Sequence, residues 1–93
     1  MPEPTIARIR ECVRLLNYVV SIHAAEEIDD DNLTILDLEN IILTGEIIKR
    51  QRDRKTGEVK CIVRGLTLGE LPAETVVKIG PTGKLVVITA YLA

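Results

Sequence analysis

Within the stretch GEIIKRQRDRKTGEVKCIVRG, Gly45 to Gly65, the chain changes from a helical to an extended pattern. Upstream of it apolar residues recur at helical spacing; from Glu46 onward the period drops to two and β-branched residues become frequent. Two runs, Glu46 to Arg52 and Val59 to Leu66, flank DRKTGE, where Gly57 supplies the positive φ that a tight loop requires. This is the pattern of a β-hairpin. In its second run Val59, Cys61 and Val63 alternate with Lys60, Ile62 and Arg64. The Val/Cys face is therefore expected to meet a core while the two cations face outward.

Downstream, two more runs follow, Thr75 to Gly80 and Leu85 to Tyr91, joined through TLGELPAE and PTGK. Gly83 marks the second hairpin turn. LVVITAYL is apolar on both faces, as a central or doubly covered strand is. On the other side, Ile6, Ile9, Val13 and Leu16, with Cys12 beside them, predict an amphipathic first helix that Pro4 can open and Asn17 can stop. Tyr18 to Ile22 reads as a short β-branched link to HAAEEI, a second, brief helix. Thr34, three residues ahead of Asp37, resembles a capping box and opens a third helix with Ile35, Leu38, Ile41 and Ile42 as its buried stripe. Gly45 then falls where a left-handed C-cap residue is wanted. Because short connections favour antiparallel neighbours, the expected class is α+β: one domain over residues 1–93, with N-terminal helices packed on a four-stranded antiparallel meander.

Composition narrows the function classes. With 46% hydrophobic and 28% charged residues in a chain of 93, and no apolar run near the roughly 18 residues of a membrane span, a soluble domain is expected. The N-terminus MPEPTIARIRECVRLL mixes charge with apolar residues instead of placing a hydrophobic block after a basic patch, so the expected location is the cytoplasm. Cys12 and Cys61 lack CxxC spacing and are expected to be reduced, buried and unpaired. One His and two Cys are too few soft ligands for a transition-metal site. The DDDN run, Asp29 to Asn32, lacks an EF-hand's glycine at position six and glutamate at position twelve, where Thr34 and Asn40 stand. Neither a metal nor another cofactor is expected.

The charges are segregated. Between Glu26 and Glu39 there are seven carboxylates, Glu26, Glu27, Asp29, Asp30, Asp31, Asp37 and Glu39, and no cation; between Lys49 and Arg64 seven cations face only Asp53 and Glu58. A net charge of −2 thus conceals two opposed local fields. The basic hairpin has two readings: an anion-binding surface, or charge that protects an exposed edge strand from pairing with another chain. The lack of Trp and Phe, with only Tyr18 and Tyr91 as aromatics, leaves few platforms for stacking bases. His23, the single histidine, is the residue type that exchanges protons near neutral pH, and it also suits a satisfied polar position at a helix start.

Taken in order and spacing, IHAAEE, LDLENIILTGEII, RQRDRKTGEVKCIVRG and PTGKLVVITAY resemble the bacterial family called domain of unknown function 4258, over Ile6 to Tyr91. That family looks similar to the RelE and MqsR ribonuclease toxins, which pack helices on a curved antiparallel sheet and are often encoded beside a small zinc-finger antitoxin. The resemblance implies a metal-independent endoribonuclease, the toxin of a toxin–antitoxin pair, acting on RNA and not DNA. It points to His23, Lys60 and Tyr91 for proton transfer and to Arg50, Arg52 and Lys78 for holding phosphate. Glu27 departs from the pattern, since many members carry Arg a turn after the histidine. The alternative is a non-catalytic module of the same fold that engages a protein partner, or a second copy as a homodimer, through its opposed charged surfaces.

Overall fold

The structure, a computed structural model, describes residues 3–93. Its elements run α1 (Ile6–Arg14), β1 (Tyr18–Val20), α2 (Ile22–Asp30), α3 (Ile35–Thr44), β2 (Glu46–Arg52), β3 (Val59–Leu66), β4 (Pro72–Ile79) and β5 (Leu85–Leu92). β2 to β5 form the antiparallel meander that the alternation predicts. The sheet nevertheless has five strands, in the order β1-β5-β4-β3-β2, because Tyr18–Val20 pairs in parallel with Leu85–Val87. The four-stranded expectation is corrected by this edge strand. An apolar β5 needs a neighbour on each side, and the β-branched stretch after α1 supplies one.

Each helix begins on a side-chain cap. Thr5 accepts from the Arg8 N–H, Ser21 from the Ala24 N–H, and Thr34 and Asp37 complete a reciprocal capping box. α1 stops at Arg14, short of Asn17, since Leu16 takes a left-handed φ of 56° and the Asn17 N–H closes on Cys12 O at 2.8 Å. Leu16 is consequently 74% exposed and does not continue the buried stripe. Ile35 is also largely exposed, so the stripe of α3 starts at Leu38.

Gly45 corrects a second expectation. Its backbone is extended, at φ −87° and ψ 167°, and it is not a left-handed cap. What requires glycine is space: a Cβ there would lie 2.5 Å from both Ile41 O and Val63 Cγ1, and a Cβ on Gly65 would lie 2.0 Å from Ile41 O. The two glycines let the end of α3 settle directly onto the β2–β3 ladder.

The helices bring Ile9, Val13, Ala24, Ile28, Leu38 and Ile42 onto one sheet face, against Cys61, Val63, Val77, Leu85 and Val87. Ile41 is fully buried as well. Cys12 and Cys61 are both buried and free, and burial pushes the Cys61 thiol up. Among the described residues no helix is long and apolar enough to cross a membrane.

Candidate nucleic-acid interface

Among the described residues no helix covers the opposite sheet face. Residues alternating with the buried set, Lys60, Ile62, Val76, Lys78, Val86 and Ile88, are only partly buried, and Arg64 is exposed. Cross-strand register fixes their neighbours: Lys60 lies opposite Lys78, Ile62 opposite Val76, and Arg64 opposite Glu74, which in turn faces Tyr91. A bulge between Ile47 and Lys49 puts Lys49 opposite Ile62 and Gln51 opposite Lys60, so both join this face.

That same bulge sends Arg50 and Arg52 to the other side, opposite Cys61 and Val59. There they are held by the N-terminal segment. Arg50 donates from Nε and Nη2 to the Pro4 carbonyl at 3.3 and 3.2 Å, and its Nε lies 3.9 Å from Glu3 Oε2. Arg52 Nη2 lies 3.5 Å from Glu3 Oε1, and Nη1 donates to Gly57 O at 3.2 Å. The residues assigned to phosphate are therefore divided: Lys78 is on the open face, paired at 2.9 Å with Glu58, and the two arginines are not. Lys60 makes no ion pair among the described residues and lines a cleft of about 480 Å³ with Gln51, Arg52 and Asp53.

His23 stands in the first turn of α2, its ring mostly exposed and Nε2 3.2 Å from Glu27 Oε1. The i, i+4 spacing on the helix makes this pair. Glu27 Oε1 also accepts from Thr89 Oγ1 and from the Ala90 N–H. Two residues further along the same face of β5, Tyr91 donates its hydroxyl to Glu74 Oε1 at 2.9 Å, and Glu74 Oε2 lies 3.8 Å from Arg64 Nη1. The hydrogen bond to Glu74, then burial and the negative charges of Glu74 and Glu27, raise the Tyr91 pKa, so its proton is retained at neutral pH. His23 and Tyr91 thus flank one end of β5. Lys60 is not with them: register places it four residues from Arg64 and two strands from Tyr91, about 13 Å along the strands and about 10 Å across.

Sequence reading turned Arg64 outward beside Lys60 and singled out Glu27 as a departure, but gave neither a role in the site, and it missed Glu74 altogether. Glu27 is announced by its place one turn after His23; Glu74 follows only from strand register. Four carboxylates of the acidic run prove to have internal partners: Glu27 and Asp31 accept from Ala90 and Leu92 amides, Asp37 from those of Thr34 and Leu68, and Glu39 from the Tyr18 hydroxyl. Among the described residues no three His, Cys, Asp or Glu side chains are grouped to hold a metal ion.

Helices packed on one face of a mixed five-stranded sheet, with cations on the other face, define a small α+β domain. Residues 20–92 match the family described as Domain of unknown function (DUF4258), and the chain belongs to that family. No curated protein and no solved structure matches it.

Proposed function

We propose that this protein is a metal-independent endoribonuclease of the RelE-like kind, with RNA lying across the open face of the sheet. The observation that carries the reading is the direct pairing of Lys60 with Lys78. Glu58 already partners Lys78, so among the described residues Lys60 is the ammonium of the two without a carboxylate, and a phosphate laid between the lysines supplies its counter-charge. Lys49, at the level of Ile62, and then Arg64 continue the positive charge along the sheet toward Glu74. Lys60 accordingly holds phosphate in this reading and does not transfer a proton.

Chemistry falls to the end of β5. His23, held by Glu27, takes the 2′-hydroxyl proton; the 2′-oxygen attacks phosphorus, and the bond to the 5′-oxygen breaks as Tyr91 supplies that oxygen with a proton. Arg64, 3.8 Å from Glu74, is the cation at this end that offsets the charge building on the phosphoryl oxygens, while Lys60 and Lys78 hold a phosphate further along the strands. Such an activity belongs in the cytoplasm, restrained by a protein partner; the family resemblance suggests a small zinc-finger antitoxin.

The test is incubation of the purified protein with RNA in chelator at low salt. Wild type is expected to cut, and His23→Ala to bind RNA nearly as well without cutting it. Protein that neither binds nor cuts RNA, and that leaves growth unchanged when expressed without its neighbouring gene, overturns the reading. One observation favours a binding module instead: the acidic helix α2 and the basic β2–β3 hairpin occupy opposite edges of the sheet, which suits contact with a charged protein or a second copy. Cleavage-independent complex formation that Arg54→Glu disrupts would support that alternative.

A further inference from the structure

A cleft of about 620 Å³ opens where the N-terminus of α1 meets the β2–β3 and β4–β5 turns. It is separate from the His23 end of the sheet. Three cations line it, Arg8, Arg52 and Lys78, against two carboxylates, Glu3 and Glu58. Each carboxylate is already paired, Glu58 with Lys78 and Glu3 with Arg52, and Arg8 has no ion pair among the described residues. The positive end of the α1 dipole adds to the same side. The opposite wall is apolar, formed by Pro4, Val59, Ile79 and Pro81. A small apolar group beside an anionic one is what such a cleft accommodates, and its volume is within the range of small-molecule sites.

We propose that this cleft binds a phosphomonoester and that the Glu3 carboxylate occupies the anion seat in cis. Glu3 Oε2 lies 3.9 Å from Arg50 Nε and Oε1 lies 3.5 Å from Arg52 Nη2, ion pairs longer than charge-assisted hydrogen bonds, so the carboxylate is held loosely between the two guanidinium groups. A phosphate monoester carries more charge than a carboxylate and displaces it, gaining Arg8 as a further partner. The phosphate belongs either to a free nucleotide or to the 5′ end of an RNA strand; the chemistry of the seat is common to both. The inference does not depend on cleavage, and its test does not read cleavage.

Titration of wild type, Glu3→Gln, Arg52→Ala and Arg8→Ala with adenosine 5′-monophosphate, followed by calorimetry, tests the site. Glu3→Gln removes the competing charge and is expected to bind about threefold to tenfold tighter than wild type, a gain of up to about 1.4 kcal/mol. Arg52→Ala and Arg8→Ala are expected to weaken binding, with thermal midpoints showing that both remain folded. Short RNAs bearing a 5′-phosphate or a 5′-hydroxyl identify the source: discrimination between them assigns the seat to RNA ends, and its absence with tight nucleotide binding assigns it to free nucleotides. Equal affinities of wild type and Glu3→Gln, or no binding by any variant at millimolar nucleotide, overturn the proposal.

Discussion

Glu27 Oε1 accepts the main-chain N–H of Ala90 at 3.3 Å, on the edge of β5 that β1 leaves open. One helical turn later Asp31 Oδ2 accepts the Leu92 N–H at 3.1 Å. A rise of about 6 Å over four helical residues nearly matches about 6.7 Å over two strand residues, so carboxylates at i and i+4 of α2 meet alternate amides of β5. The helix thereby finishes the edge that the three-residue β1 begins, and the acidic run is in part a device of the fold.

Removing that cap should be felt as lost stability. Glu27→Ala leaves the Ala90 amide and the Thr89 hydroxyl without their acceptor and is expected to cost about 1 to 3 kcal/mol in urea unfolding. Glu27→Gln retains an acceptor oxygen and should cost less. Wild-type stability in Glu27→Ala would show that the β5 edge does not need the carboxylate.

Tyr18 gives the fold an alkaline limit. Burial first, then its hydrogen bond to Glu39 and the charge of that carboxylate, raise its pKa from 10.0 to about 12. Between those values the unfolded chain has released the proton and the folded chain keeps it, so stability is complete below pH 10 and falls as pH rises toward 12. Tyr18→Phe should flatten that decline, and at neutral pH should lose about 0.5 to 1.5 kcal/mol with the hydrogen bond. Chemical denaturation at several alkaline pH values checks both; parallel curves for the two proteins would refute the assignment.

Gly65→Ala is expected to be among the most damaging small substitutions. Its added Cβ would meet the Ile41 carbonyl at 2.0 Å, and that atom belongs to a helix backbone which cannot step aside alone. Overpacking of this sort costs about 1 to 3 kcal/mol or more. By contrast, Gly57→Ala has open space around it and only its φ of 74° to oppose it, so it should cost less. Thermal midpoints of the two variants should differ in that order.

The meander was readable because Val59, Cys61 and Val63 alternate strictly with Lys60, Ile62 and Arg64, and because Gly57 and Gly83 mark turns that do take positive φ. β1 was not readable: three residues are too few to show a period, and their pairing depends on a partner strand more than sixty residues away. The sides of Arg50 and Arg52 were hidden for a related reason. A single bulge at Ile47 and Lys49 moves every later side chain of β2 to the other face, and nothing in EIIKRQR announces it. Candidate proton donors and acceptors were legible as residue types, but their distances were not. His23 and Glu27 meet through helical spacing, whereas the separation of Lys60 from Tyr91 comes from the order of strands across the sheet.

The division of cations between faces predicts which of them RNA senses. Lys60 lies opposite Lys78 on the uncovered face, while Arg50 is taken up by Pro4 and Glu3 on the other. If RNA crosses the open face, Lys60→Ala should weaken binding and lower the slope of log affinity against log salt by about 0.7, one phosphate contact to a single strand. Arg50→Ala should leave that slope unchanged, although it removes the same formal charge. Stability should separate the two as well: Lys78 already has Glu58 as its partner, so deleting Lys60 is expected to leave the fold within about 0.5 kcal/mol of wild type, whereas Arg50→Ala releases the N-terminal segment. Fluorescence anisotropy with a short RNA from low to moderate salt, run beside urea denaturation, separates the two effects. Equal salt slopes for wild type and Lys60→Ala would move the RNA off this face, and a reduced slope for Arg50→Ala alone would place it on the helix side.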